Sequence, residues 1–312
     1  MAATNAAPSS FFSLFVLLSL ISTAFTSMHG LNHDPLIIQQ VVSSNDHDDL
    51  LMMTAEHQFS AFKKEYGKIY PTQEEDDYRI GVFISNLRQA RRNQIEDPTA
   101  IHGVTKFSDL TSSEFRNQYL LLDQNIQLPK NLKKAPILPT EDLPETYDWR
   151  EYDAVTEVKD QGECGCCWAF ADTATLETAH YMSKSNLVEL IEQQLVDCSD
   201  EGECRCCWAF AAIATLETGH FMSKSWSIME PDDDQIAANL VNYSTIAVQI
   251  NGAMMKTYKG GVACPNKYSN DRHCRIIKNS WGKDYGEEGY YRICKGKHIC
   301  SKDPKATVVF AD

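Results

Sequence analysis

Apolar residues recur at three- and four-residue spacing in two stretches of the N-terminal half of the chain. Phe59, Phe62 and Tyr66 form the first series, and Tyr78, Val82, Phe83, Leu87 and Ala90 the second. That period predicts two helices between Glu56 and about Gln94. Tyr70-Pro71 separates them, because a residue before proline is steered away from helical backbone. Thr72 or Gln73, followed by the acidic run Glu74 to Asp77, suits the start of the second helix, since carboxylates favour the positive end of the dipole. On periodicity alone the two make a helical hairpin.

The flanks read differently. Phe11 to Ile21 is a short apolar run followed by small and polar residues. It is too short for a membrane span, which needs about 20 apolar residues, and has the build of a secretory signal peptide over residues 1–27, although its first residues lack Lys and Arg. Residues 28–55 are mixed and polar, and read as a flexible leader. Residues 128–143 hold Pro129, Pro136 and Pro139 with Lys130, Lys133 and Lys134, a linker composition open to proteolysis. From residue 144 the composition shifts to Trp, Cys and Gly, and a second domain runs to residue 312.

Charge and cysteine narrow the function. The net charge of −14 argues against nucleic acid, whose phosphates call for clustered Lys and Arg. No later segment is apolar enough to span a bilayer, so a soluble product in an oxidising or lumenal compartment is expected. All 11 cysteines lie between Cys164 and Cys300, and an odd number leaves at least one without an intramolecular partner. Asn242-Tyr243-Ser244 has the form of an N-glycosylation acceptor.

A repeat sits among the cysteines. Residues 162–185 and 202–225 agree at 19 of 24 positions with an offset of 40. Two copies are too few for a solenoid, so a local duplication or a faulty gene model fits better. In the first copy, Gln161-Gly162-Glu163-Cys164-Gly165-Cys166-Cys167-Trp168-Ala169-Phe170 opens a run of helical period. A cysteine at a helix N-terminus is held toward the thiolate, the nucleophile for acyl transfer. Gln161, six residues earlier, suits an oxyanion donor. A CxCC cluster also suits disulfides or a metal, but without a paired CxxC at zinc spacing no metal is expected. No cofactor is expected either.

These residues resemble the papain family of cysteine proteases. The family's Gln and Cys-Gly-Ser-Cys-Trp pattern is matched except that Cys166 replaces the usual Ser. The likeness continues in LPETYDWREYDAVTEVKDQG, in EQQLVDC ending at Cys198, in KNSWG at Lys278 to Gly282, and in GYYRIC ending at Cys294. The resemblance implies that Asn279 orients a catalytic His and that Trp281 shields the pair. It also implies disulfides at Cys294 and Cys300, with Cys264 a partner for one of them. The first half is similar to the family's inhibitory propeptide. Glu75, Arg79, Phe83, Asn86, Ala90 and Gln94 match its interspersed helix motif in the cathepsin F-like variant, and Gly103, Thr105, Phe107 and Asp109 match its second motif. Plant vacuolar members look most similar. The implied fold is α+β, a truncated two-lobed catalytic domain over 144–312 preceded by a helical inhibitory propeptide over 56–127.

Three departures temper the implied activity. The family's Asn-His-Ala/Gly-Val strand is missing, and the nearby candidate base is His273, six residues before Asn279. In one strand the two would lie about 20 Å apart. His273 follows Cys167 by 106 residues, against about 130–150 in the family, as a deletion would give. The second copy stands where the family's Cys-Asn-Gly-Gly segment belongs, so Cys164 and Cys198 lose their usual partners unless Cys204 or Cys206 substitutes. Within that copy Glu201 replaces the oxyanion Gln and Arg205 replaces Gly165, so Cys207 reads as a remnant. His180 and His220 read as solvated helix residues. The expected site is therefore Cys167, Gln161, Asn279 and, if any base serves, His273. The expected product is a cysteine endopeptidase precursor of impaired activity, or else a non-catalytic pseudoprotease or propeptide-type inhibitor. Its expected partners are peptide or protein substrates, its own propeptide in cis and related cysteine proteases, but neither nucleic acid nor membrane. Its expected location is the secretory pathway, ending in a vacuole or lysosome or outside the cell.

Overall fold

The computed structural model describes residues 47–120, 134–197, 225–229, 232–248, 250, 252, 254–264, 274–295 and 306–310. The signal peptide, the second repeat copy up to residue 224, His273 and Cys300 lie outside the described residues. The chain divides into two compact units, residues 1–71 and 72–312.

The first unit holds helix α1, His47–Tyr66. Its predicted aromatic series is a stacked set. The Phe59 ring lies 6.0 Å from Phe62 and 6.0 Å from Tyr70, and Phe62 lies 5.4 Å from Tyr66.

The second unit opens with α2, Gln73–Glu96, capped by Thr72, whose hydroxyl accepts from the Glu75 amide, with Glu74, Glu75 and Asp76 in the first turn. The helix start is as the sequence implied. Its buried stripe, however, is Phe83, Asn86, Ala90 and Asn93, while Tyr78 is exposed. The asparagines are buried because each meets a specific partner. Asn86 Nδ2 donates to the carbonyls of Ser108 and Leu110 at 2.8 Å each, and Asn93 Nδ2 donates to Thr257 Oγ1 at 2.8 Å. Periodicity of apolar residues alone could not reveal such a stripe.

Strand β1, Ala100–His102, and helix α3, Ser112–Tyr119, come after α2. Thr111 and Glu114 form a reciprocal capping box at the start of α3. Arg79 joins α2 to this box, pairing with Glu75 at 2.6 Å and Glu114 at 2.9 Å and donating to the Asp109 carbonyl at 3.0 Å. Gln94 brackets β1, donating to Ala100 O at 2.8 Å and accepting from the His102 amide at 3.0 Å.

Helix α4, Cys167–Lys184, and the short α5, Gln193–Asp197, begin the first lobe of the C-terminal region. Strand β2, Ser225–Met229, helix α6, Asp233–Asn242, and β3, Ala247–Val248, come next. The second lobe carries β4, Tyr258–Gly261, after a 3₁₀ turn at Met255–Thr257, then β5, Cys274–Lys278, and β6, Tyr290–Cys294. Strand β7, Ala306–Phe310, lies between β2 and β3, antiparallel to both. β5 and β6 form an antiparallel hairpin, and β1 pairs antiparallel with β4. A disulfide joins Cys264 to Cys294 with Cα atoms 5.4 Å apart.

The largest buried cluster among the described residues unites the two halves of this unit. Ala100, Phe107, Leu110 and Phe115 from the N-terminal part pack with Met255, Tyr258, Trp281, Tyr285, Tyr291 and Ile293. Phe107 meets Trp281 edge-on at 5.2 Å and Phe115 meets it edge-on at 5.4 Å, the geometry that aromatic quadrupoles favour. The Lys256 ammonium enters the same joint, donating to Asn86 Oδ1 at 2.8 Å and to the Leu110 carbonyl.

Two measurements can probe this joint. Phe107→Ala should cost about 3–5 kcal/mol, read as a lower urea midpoint, because a fully buried ring is lost from a close-packed site. A loss below about 1 kcal/mol would show that the joint does not hold the fold. Burial also lowers the Lys256 ammonium to about 8, against the opposing pull of Asp109 and Glu114. The unfolded chain keeps this proton to its ordinary value of 10.5. The unfolded state therefore binds more protons between these values, so the Lys256 contribution to stability grows as pH rises from 8 to 10.5 and is flat below 8. The gain should be on the order of 1–3 kcal/mol. Stability of wild type minus Lys256→Met, compared at pH 8 and pH 10, measures it; a pH-independent difference would refute the assignment.

Candidate active site

Two segments run side by side and assemble the site. The Gln161 amide donates to Ser280 O at 2.8 Å and the Gly282 amide donates to Lys159 O at 3.0 Å, with Asp160 bridged to Trp281. This antiparallel contact places Gln161 against the Asn279–Trp281 segment, more than 100 residues away in the chain. The contact continues through side chains, since Ser280 Oγ donates to Gln161 Oε1 at 2.6 Å. Gln161 is 7 % exposed. Its Nε2 donates to Cys164 O and, at 3.4 Å, to Tyr119 O at the end of α3. Gly162 follows with φ of +61°, a backbone state that suits glycine, and turns the chain toward α4.

Cys167 is the first residue of α4, with Cys166 in the N-cap position and making no side-chain cap. The Ala169 amide closes the first turn onto Cys166 O at 2.9 Å. Trp168 and Ala169 are buried and anchor this end, while Cys167 remains partly exposed.

Asn279 leaves β5 with its amide donating to Gly289 O at 3.1 Å, and its Oδ1 accepts from the Ser280 amide at 2.9 Å. Its Nδ2 has no hydrogen-bond partner among the described residues. Trp281 is 2 % exposed, walled by Phe107, Phe115, Tyr119 and Tyr285. The structure thus joins Gln161 to the segment that carries Asn279 and Trp281, and sets Cys167 at a helix start. His273 and Cys207 lie outside the described residues. His180 sits thirteen residues along α4 from Cys167.

One supporting residue escaped the sequence reading. Glu177, in the middle of α4 and 1 % exposed, accepts from Thr156 Oγ1 at 2.5 Å and from the Leu190 amide at 2.8 Å, and pairs with Lys159 at 3.5 Å. Thr156 in turn accepts from Lys278 Nζ at 2.8 Å, next to Asn279. Burial lowers the Lys278 ammonium despite Glu177 nearby. Helix α4, the segment Thr156–Lys159 before Gln161 and strand β5 before Asn279 therefore share one polar junction. A lone acid amid Thr175, Leu176 and Thr178 was the available signal.

The α3 end covers this region. Tyr119 meets Trp281 edge-on at 6.3 Å, and burial together with Glu163, Asp160, Asp109 and Asp284 raises its phenol to about 12. Lys106 adds ion pairs to Asp160 at 2.9 Å and Asp284 at 3.0 Å.

Comparison with known proteins decides the family. Cysteine proteinase 15A of Pisum sativum is 43% identical, covering 96% of this chain and 97% of that protein. The chain belongs to the papain family of cysteine proteases. The family profile for papain family cysteine proteases matches residues 143–203 and 222–310, and the cathepsin propeptide inhibitor domain profile matches 59–115. The probable cysteine protease RD19C of Arabidopsis thaliana is 39% identical, covering 88% of this chain and 89% of that protein. Recombinant stem bromelain precursor superposes with a TM-score of 0.70 at 24% identity, covering 83% of this chain and 99% of the bromelain chain. Digestive procathepsin L2 of Tenebrio molitor gives 0.69 at 22% identity, covering 82% and 99%. These proteins share the papain-like zymogen fold. The alignment with the pea protein runs over 358 positions against 312 residues here, so at least 46 positions of that relative have no counterpart in this chain. The papain profile breaks between residues 203 and 222, inside the second repeat copy.

In this papain-family chain Glu177→Ala should cost about 3–5 kcal/mol, because Thr156 and Leu190 lose a buried acceptor and Lys159 a counter-charge. Glu177→Gln, which keeps an acceptor, should cost clearly less. Thermal unfolding of both variants is the check, and equal losses would contradict the hydrogen-bonding role.

Proposed function

We propose that the chain is the precursor of a cysteine endopeptidase whose turnover is lower than that of an intact relative. The observation that carries this reading is Cys167 at the start of α4, three residues after the Cys164 carbonyl held by Gln161, which is itself hydrogen-bonded into the Asn279 segment. The helix dipole favours a thiolate at that position. The Cys167 thiolate attacks the scissile carbonyl carbon, and an acyl-enzyme forms as the amine leaves. Gln161 Nε2 supplies one oxyanion donor once α3 withdraws its Tyr119 carbonyl and the Cys164 contact opens. Asn279 is the orienting residue and His273 the candidate base. Residues lost from the region before Asn279 reduce the rate by weakening proton transfer.

In this reading residues 56–127 are the inhibitory segment. The α3 end over Gln161 and Trp281, the shared aromatic core and the Lys106 ion pairs support cis inhibition. Cleavage falls near Thr140. Leu138 is pinned by a reciprocal pair of hydrogen bonds to Gln235, each 2.9 Å, while Pro139, Glu141 and Asp142 just beyond it are exposed. Transit through the secretory pathway to a vacuole, a lysosome or the exterior accords with the Cys264–Cys294 disulfide and with an exposed Asn242 in its acceptor triplet. Among the described residues no helix is long and apolar enough to cross a membrane.

A second reading, a non-catalytic member whose propeptide inhibits related cysteine proteases, is favoured by two observations. At least 46 positions of the pea relative are absent here, and Asn279 Oδ1 is already engaged by Ser280 N–H. One experiment separates the two. The chain is activated in acid and given a fluorogenic dipeptide substrate. Turnover that disappears in Cys167→Ser is expected. Absence of turnover in the wild type, or its persistence in Cys167→Ser, would sink the endopeptidase reading, and inhibition of an active relative by the released propeptide would then establish the second.

A further inference from the structure

The hairpin of β5 and β6 sets Cys274 directly opposite Cys294. Backbone bonding fixes the kind of pair. The Cys294 amide donates to Ala263 O at 2.9 Å and the Ala263 amide donates to Arg292 O at 2.9 Å. The polar groups of residues 292 and 294 therefore point toward the chain leaving β4, away from β5. Cys274 and Cys294 form a non-hydrogen-bonded antiparallel pair, in which Cα atoms lie about 4.5 Å apart and the side chains share one face. That separation falls within the usual disulfide range of about 4.4–6.8 Å. Cys294 is also bonded to Cys264, with Cα atoms 5.4 Å apart on its other side. One sulfur is thus flanked by two others, and Cys274 is half-buried and in no disulfide among the described residues.

We propose that Cys264, Cys274 and Cys294 form a thiol–disulfide exchange site in which Cys294 alternates between two partners. Deprotonated Cys274 attacks the Sγ of Cys294. The Cys274–Cys294 bond forms, the Cys264–Cys294 bond breaks, and Cys264 leaves as a thiolate that takes a proton from solvent. One disulfide and one thiol are present before and after, so no oxidant or reductant is consumed.

The exchange has a structural consequence. The Cys264 amide donates to Asp97 Oδ1 at 2.9 Å, and the strand that leads to it, β4, carries β1 of the propeptide region. In one state the cross-link ties this strand to β6. In the other it closes the β5–β6 hairpin and leaves β4, with the propeptide strand on it, held by hydrogen bonds and packing alone. The inference does not depend on Cys167 being a nucleophile.

The test is disulfide mapping of the full chain. The protein is equilibrated in a glutathione buffer, quenched with acid, alkylated without reduction, digested and analysed by mass spectrometry. Both Cys264–Cys294 and Cys274–Cys294 peptides are expected, with alkylated Cys274 and alkylated Cys264 in matching proportions. In Cys274→Ser, alkylated Cys264 should fall to background while Cys264–Cys294 remains. In Cys264→Ser, Cys274–Cys294 should form. Finding only Cys264–Cys294 in the wild type, or finding Cys274 joined to a cysteine other than Cys294, would overturn the proposal. The wild-type map decides the matter even if a variant fails to fold.

Discussion

The contact of Phe107 and Phe115 with Trp281 and Tyr285 is the constraint on which most of this structure depends. It makes one core from two stretches of chain that are about 170 residues apart, and it does so with rings buried almost completely. A core of that kind cannot be completed by either stretch alone, because each contributes one side of an edge-to-face array. The polar contacts at its border are a consequence. Once the rings meet, Asn86, Asn93, Lys256 and Thr257 are removed from water, and they pair across the same joint, Lys256 with Asn86 and Asn93 with Thr257.

The same joint places the candidate site under cover. Trp281 belongs both to the shared core and to the segment that lies beside Gln161, so whatever holds Phe107 in place also holds the end of α3 over the Gln161 amide. The cover of the Gln161 side chain by the end of α3 is then a packing consequence rather than a separate device. Lys106 between Asp160 and Asp284 adds an ion pair on exposed carboxylates, whose energetic share is small beside the aromatic burial. The conjunction of α4, the segment before Gln161 and β5 before Asn279 rests on Glu177, whose carboxylate is shared by Thr156, Leu190 and Lys159.

Much of the fold could be read from local pattern. The two N-terminal helices, the Tyr70-Pro71 break and the acidic start at Thr72 arise from short-range sterics and dipole effects, and the structure has them. The Glu75, Arg79, Asn86 and Gln94 motif was legible as a motif, but its purpose was not. Its partners, Glu114, Leu110 and Ala100, lie across turns that spacing does not reveal. Tyr78 shows that helical spacing does not settle burial, since this aromatic lies on the exposed side while the buried stripe holds Asn86 and Asn93.

By itself, the sequence determined the family, the start of α2 at Thr72, the position of Cys167 before an apolar helical run, and the duplicated segment. These are properties of neighbouring residues, and local chemistry writes them directly into the chain. Only the tertiary structure decided that Gln161 lies against Ser280, that Glu177 serves as a junction, and that Cys294 faces two cysteines at once. Each depends on strand register and on which buried groups find partners, and both are settled by the whole packed unit rather than by any short stretch of it.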